Sequence, residues 1–476
     1  MAQREKGYLV TEETRNSRLA TPPLFLVVLW LATALLIGLT IFRAVNAIAT
    51  LGGLNSPSQT WIASAVDLAN GVFYRPLCDE EHGYGGTRYF PLCFAVHAGL
   101  IKLGLDPIVA GHTCGIASTL CLIAGVYLLL RRLGVSVALA LPSAGLVLAS
   151  TSSQLAVITI RGDSLPAALC VFGLLACAQK KPKIAVAALL FTLAVAAKVT
   201  AVYGVIAAGA ALALAGQPRK ALTLTLSTSV GIMLCLVVMY LASGGRVFGI
   251  FRACALGGGG PLTFLRSPFS LVRNAVNDDP MGLPFLILSS SALISTFTAS
   301  WRDLPCLAFL SIAAILGMIM ASPGMDYNHL IDLHVMSIVV LVVAISRGRL
   351  PAHFLTIAIA LSAIAACAAY KPAINTRRWH DIVNKVKDLR QPLFSEQPLV
   401  PLLAGERPYV LDPFMLAVVR KRDPRITADL WRKLETHKFG AVIVTERSLE
   451  ERRFGDGFTE RLNRHYDCAT KCDGLS

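Results

Sequence analysis

Between Pro23 and Phe42 the chain runs twenty residues without a charged side chain. Lipid cannot hydrogen-bond a bare backbone, so a run of that length constrains this stretch to a membrane-spanning helix. Comparable runs recur down to about residue 370, and several end in short basic clusters: Arg131-Arg132, Lys180-Lys181-Lys183, Arg219-Lys220, then Arg347 and Arg349. Charged residues make up 15% of the chain, against the ~25% of a soluble domain, so most of it is solvated by lipid. The net charge of +15 sits in those inter-span clusters, which is the positive-inside pattern of a polytopic membrane protein and not a nucleic-acid patch.

Using apolar runs as spans and basic clusters as cytoplasmic markers gives a polytopic α-helical membrane protein of about eleven segments. Residues 1–22, with Arg4, Lys6, Arg15 and Arg18, form a cytoplasmic segment, and the first span is uncleaved because no small-residue cleavage site ends it. Residues 23–370 are the transmembrane domain. Within it, 43–106 form a first external loop, with an interfacial helix over Ser58 to Gly71 and another from Pro91 to Leu103. Spans follow at about 107–130, 135–152 and 164–179. The next apolar stretch is broken midway by Lys198, and a lysine at mid-membrane is costly. Two short antiparallel helices with Lys198 at their external turn are therefore expected. Further spans are read at about 221–243, 281–300, 304–321, one ending at Arg347, and 351–370. The last 106 residues, 371–476, are polar. Alternating patterns at Tyr409-Val410-Leu411 and Ala441 to Val444 flank a helical Ala428 to Thr436, which reads as a small extracytoplasmic α/β domain. Cys468 and Cys472, near its end, either pair or remain thiols.

This count places Asp79-Glu80-Glu81, Asp163, Lys198, an arginine-rich loop (Arg246, Arg252, Arg266, Arg273) and Asp326 to Asn328 on one membrane face. Charges gathered at the edge of a membrane mark a site. For the loop arginines, attraction to anionic headgroups explains most of them without any site.

The segments "WIASAVDLANGVFY" and "RYFPL" in the first loop are followed in order by "IRGDSLPAALCVFGL", "AAKVTAVYGV", "SPGMDYNHLIDL" and "SEQPLVPLLAGERPYVLDPF". Their wording and order resemble the GT-C glycosyltransferases, in particular the protein O-mannosyltransferase and aminoarabinose-transferase branch, over nearly the whole chain. The resemblance implies transfer of a sugar from a polyprenyl-phosphate donor to a lipid, glycan or protein acceptor. It implies reaction at the extracytoplasmic face, with inversion at the anomeric carbon. The alanine-rich composition and the tail segment point to a bacterial inner membrane. The chain departs from the family twice. No carboxylate occurs in Asn55-Ser56-Pro57-Ser58-Gln59, where members place an acid ahead of the interfacial helix, and His112 stands where many have an arginine.

Such a transfer requires a base for the acceptor, cations for the phosphate leaving group and a lipid-accessible groove. The base candidates are Asp79, Glu80, Glu81 and Asp163. Asp67, on the interfacial helix, points either into the cavity or into water. Capping of the following helix would by itself explain an aspartate at 163. Lys198, Arg161 and Arg88 are the phosphate-binding candidates, and Asp326, Tyr327 and Asn328 are placed to orient substrate hydroxyls. The spacing of His329 and His334 about Asp326 matches no closed ligand set, so neither metal nor cofactor is assigned. A transporter or flippase of a lipid-linked saccharide would show two related halves, and no internal repeat is visible. A catalytically degenerate membrane scaffold is the other alternative.

Overall fold

The computed structural model describes residues 23–81, 83–295, 302–368, 377–389, 392–445, 449 and 453–468. The amino-terminal segment 1–22 and Cys472 lie outside the described residues. Apolar runs fold as helices because only a helix satisfies its own backbone in lipid. Among the described residues four are long and apolar enough to cross alone: α1 (Pro23–Thr50), α4 (Pro107–Arg132), α10 (Pro218–Ala242) and the segment Tyr327–Ser346, whose α-helical part is α15 (Leu330–Ser346). Shorter apolar helices lie between them: α7 (Ser164–Cys177), α8 (Ile184–Ala197), α9 (Tyr203–Leu214), α13 (Leu283–Ser295), α14 (Leu304–Ile319) and α16 (His353–Ala368). The chain is an integral membrane protein by this architecture. Side chains of α10 such as Leu226, Val230, Val238 and Leu241 are exposed on its outer surface, while α15 is enclosed almost completely at the centre of the bundle.

The third span is not one helix. The segment Val137–Leu148, made of α5 (Val137–Gly145) and a 3₁₀ turn, meets Thr151–Ile158 (α6) at 72°. Two features of the sequence cause the break. Pro142 lies inside the first helix and weakens it by removing a backbone donor, and the Ser150 hydroxyl accepts from Ser153 N–H to start the second. The sharp bend delivers the chain to residues 159–163 ahead of α7. The next break falls at Lys198, where the backbone is extended (φ −158°, ψ 120°) and a 3₁₀ turn, Val199–Val202, leads into α9.

In the first loop, α2 (Ser56–Ala69) begins at Asn55, whose side chain accepts from Ser58 N–H, and α3 (Pro91–Lys102) packs against it. Between them β1 (Cys78–Asp79) and β2 (Gly83–Tyr84) form a minimal antiparallel hairpin. Residues 246–273, read as a loop, are instead two helices, α11 (Arg246–Leu256) and α12 (Leu262–Asn277).

The tail contains helices α17 (Arg377–Val386), α18 (Leu399–Leu403), α19 (Pro413–Arg420), α20 (Ala428–Glu435) and α21 (Phe458–His465) around a two-stranded parallel sheet. The sequence patterns leave the strand partners open. β4 (Ala441–Ile443) pairs with β3 (Leu393–Ser395), not with Tyr409–Leu411. The latter segment instead bonds to the first-loop hairpin, with Tyr84 N–H donating to the Tyr409 carbonyl and Leu411 N–H to that of Tyr84, both 2.8 Å. Tail and first loop share one hydrophobic core, in which Trp61, Tyr84 and Phe94 join Phe394, Val410 and Leu416. A second core fills the membrane bundle.

Candidate active site

Three chain breaks converge to build the site: the turn 159–163, the interruption at Lys198, and the loop 322–329 ahead of α15. Arg161-Gly162-Asp163 is pinned by its glycine. A Cβ at Gly162 would sit 2.6 Å from Cys93, and Cys93 Sγ lies 3.2 Å from the Gly162 carbonyl oxygen. With the backbone held there, the flanking side chains project into the site.

Asp163 is 7% exposed and makes no capping bond to the helix it precedes. Its carboxylate is used elsewhere. Lys198 Nζ and Asn328 Nδ2 both donate to Oδ1, each at 2.9 Å, and among the described residues no hydrogen bond reaches Oδ2. Burial raises the Asp163 pKa, but the nearby charges of Lys198 and Arg161 and these two bonds outweigh it, holding the group below its ordinary value. The carboxylate therefore stays ionised in the neutral range.

Arg161 is 8% exposed, and its guanidinium carbon lies 5.9 Å from the Tyr327 ring centroid. Its Nε is buried without a partner, and no carboxylate pairs with it among the described residues. A buried cation without an anion is costly. Arg161 lines a cleft of about 370 Å³, counting its open mouth, together with Trp61, Cys93, His97, Gly162 and Leu165. Arg161 is the charged residue lining this cleft, and with no carboxylate bonded to it among the described residues it offers donors that an incoming phosphate would engage.

The third wall is the loop. The Asp326 carboxylate accepts from Tyr327 N–H (2.8 Å) and starts the turn that presents Asn328 to Asp163. Arg88 is clamped to this same loop. It donates to the carbonyls of Pro323 (2.5 Å) and Gly324, and its guanidinium lies 5.5 Å from the Phe414 ring of the tail. Gly324 adopts φ +73°, the left-handed region that favours glycine.

The other sequence candidates lie apart from this cluster. Asp79 accepts from Glu81 N–H within the hairpin, and exposed Glu80 pairs with Arg432 of the tail (2.7 Å) while its carbonyl accepts from Lys433. Asp67 is enclosed. Both its oxygens accept from Arg75 (2.5 and 2.9 Å), and Arg407 approaches within 3.4 Å. His112 is buried in α4, away from this cluster's bonded residues.

Three further acidic residues near the site are not among the sequence candidates. Asp412 is buried at the start of α19 beside Arg88, and burial pushes its carboxyl up to about 6 against bonds from backbone N–H groups and the Arg88 charge. Exposed Asp278 is raised by partial burial and by the charge of Asp326, so it borders the same loop. Asp332 lies within α15 and accepts from the Tyr203 hydroxyl at 3.1 Å. A carboxylate inside an apolar run is the available signal for Asp332. No comparable signal marks the other two.

The architecture is a helical membrane bundle whose broken spans and first-loop helices meet at a charged cluster, and solved membrane-protein structures share its fold. Among the solved structures it resembles are those of the archaeal oligosaccharyltransferase AglB from Archaeoglobus fulgidus. One, in complex with an inhibitory peptide and a dolichol-phosphate, matches with TM-score 0.54 at 14% identity over 83% of this chain. Another, tethered to an acceptor peptide containing the NVT sequon, matches with TM-score 0.53 at 15% identity over 82%. The chain spans 65% and 64% of those two structures, so the likeness is one of fold. No protein-family model matches the sequence, and no curated protein matches it.

Proposed function

We propose that this protein transfers a sugar from a polyprenyl-phosphate-linked donor to a lipid, glycan or protein acceptor at the extracytoplasmic face of a bacterial inner membrane. The observation that carries the reading is Arg161, a buried guanidinium without a carboxylate partner, set beside an ion pair whose carboxylate keeps one oxygen unengaged. The fold neighbour captured with a dolichol-phosphate and a peptide supports a lipid-phosphate donor.

In this reading the acceptor hydroxyl gives its proton to Asp163 Oδ2 as its oxygen attacks the anomeric carbon. The bond from that carbon to the phosphate oxygen breaks, and the lipid phosphate departs with the electron pair. Arg161 and Lys198 neutralise the developing charge. Displacement from the opposite face inverts the anomeric centre. A depressed pKa makes Asp163 a weak base, but one ionised at every working pH. Tyr327 and Asn328 line the donor side, Asp326 fixes their turn, and Arg88 holds that turn in place.

The proposed topology has eleven crossings, with the tail of residues 371–476 outside beside the first loop. Reporter fusions after Lys183 and Lys220 are expected to report the cytoplasm and one after Pro372 the outside. Two on the wrong side would refute the arrangement. For the reaction, purified protein in nanodiscs is incubated with labelled polyprenyl-phosphate sugars and candidate acceptors. Transfer that is lost in Asp163→Asn supports the reading; no transfer from any donor refutes it.

A further inference from the structure

Helix α12 carries an arrangement that the transfer reaction does not use. Leu262, Leu265, Phe269, Val272 and Val276 follow one another at spacings of three and four residues, which puts them in a single stripe. All five are exposed, Phe269 by 78% and Leu265 by 70%. Arg266 and Arg273, seven residues apart, fall together along one flank of that stripe, and both are exposed. The opposite face, with Ser267 and Asn274, is buried and packs on α14. The helix is thus divided lengthwise into a protein side, an apolar side and a basic edge.

We infer that α12 lies in the membrane interface, its apolar stripe sunk among acyl chains and Arg266 and Arg273 bound to anionic lipid phosphates. Three observations select this occupant. A row of sizeable apolar side chains, Phe included, is expensive to leave in water. The stripe continues a surface that already faces lipid, since α10 and α14 expose Leu226, Val230, Leu310 and Met318. The arginine edge supplies the charge that headgroup phosphates match, and a strongly two-faced helix with arginine on its polar side lies in the interface and does not cross it. The placement also bears on the site. Ser267 Oγ accepts from Ala321 N–H at 3.0 Å, at the foot of the loop held by Arg88, so the depth of α12 sets the height of that loop.

The test is independent of sugar transfer. Full-length protein with Phe269→benzoylphenylalanine, or Val272→benzoylphenylalanine should the first fold poorly, is irradiated in nanodiscs of phosphatidylglycerol and phosphatidylcholine. Phospholipid adducts are expected at the substituted residue. In parallel, phosphatidylglycerol retention is measured by native mass spectrometry on wild type and R266Q/R273Q. Each lost arginine is expected to weaken retention roughly fivefold. Cross-links to a second copy or to another protein, or no lipid adduct at all, would overturn the docking. Retention unchanged in the double variant would overturn the role of the arginines.

Discussion

Asp67 and Asp163 are both buried aspartates paired with a cation, and they differ in what remains available. Asp67 gives both oxygens to Arg75 and has Arg407 beside it, so nothing is left for a ligand. Asp163 receives Lys198 and Asn328 on one oxygen and has an unpaired guanidinium as its neighbour. The first pair lies within the first loop with Arg407 of the tail beside it; the second sits next to a guanidinium that no carboxylate engages among the described residues. Burial and pairing alone therefore do not distinguish a strut from a site. The count of satisfied oxygens does.

The largest expected effect is on turnover. Asp163→Asn keeps an oxygen for Lys198 and Asn328 but removes the proton acceptor, and loss of a general base costs roughly 10²–10⁴-fold. Rates are measured on protein with unchanged thermal stability, and a near-normal rate would remove Asp163 from the chemistry. Asp67→Asn is expected to show the reverse profile. Breaking a buried ion pair leaves Arg75 uncompensated and costs ~3–5 kcal/mol of stability, while the folded fraction keeps its specific activity. Loss of turnover without loss of stability would make Asp67 a second site residue.

A third test concerns the contact between tail and site loop. Asp412 titrates near 6 in the folded protein, above its unfolded value, so burial favours its protonated form. Its contribution to stability is complete at acid pH below the unfolded pKa and is lost as pH rises through 6, amounting to ~3 kcal/mol at most. Buried Asp279, raised to about 6 with the same sign, acts in parallel. Buried His97 and His329, lowered by burial, act with the opposite sign in wild type and variant alike, so the readout is the difference: between pH 5 and 7.5 the unfolding midpoint of wild type is expected to fall relative to that of Asp412→Asn as pH rises. Equal slopes in the two proteins would contradict this. The smallest effect is expected for Glu80→Gln, since its partner Arg432 is largely solvated and such pairs contribute little. Turnover equal to wild type is expected. A large loss would return the Asp79–Glu81 hairpin to the catalytic machinery.

The sequence made the helical membrane body legible because apolar length and basic punctuation are strong local signals. It also located the break at Lys198, where a charge in an apolar run leaves few options. What it could not weigh was how each carboxylate is used. Asp163 precedes a helix, so capping by itself explains its residue type in the sequence, and its use shows only in the structure, where Oδ1 accepts from Lys198 and Asn328. Asp67 looked ambiguous because one of its cations, Arg407, lies hundreds of residues away in the tail. Tyr409–Leu411 reads as a strand and does pair, but its partner is Tyr84 of the first loop, which no local pattern names. The bend between α5 and α6 was written in Pro142 and Ser150, and the continuous hydrophobicity of the stretch concealed it.

The central claim is that Arg161 is held unpaired to receive a lipid phosphate. The direct measurement is binding of a radiolabelled polyprenyl phosphate to wild type, Arg161→Gln and Asp163→Asn in nanodiscs. A charge-assisted hydrogen bond contributes about 1.5–3 kcal/mol, so Arg161→Gln is expected to bind roughly 10–100-fold more weakly. Asp163→Asn is expected to bind at least as tightly as wild type, having lost only a negative charge. Undiminished binding by Arg161→Gln would contradict the account.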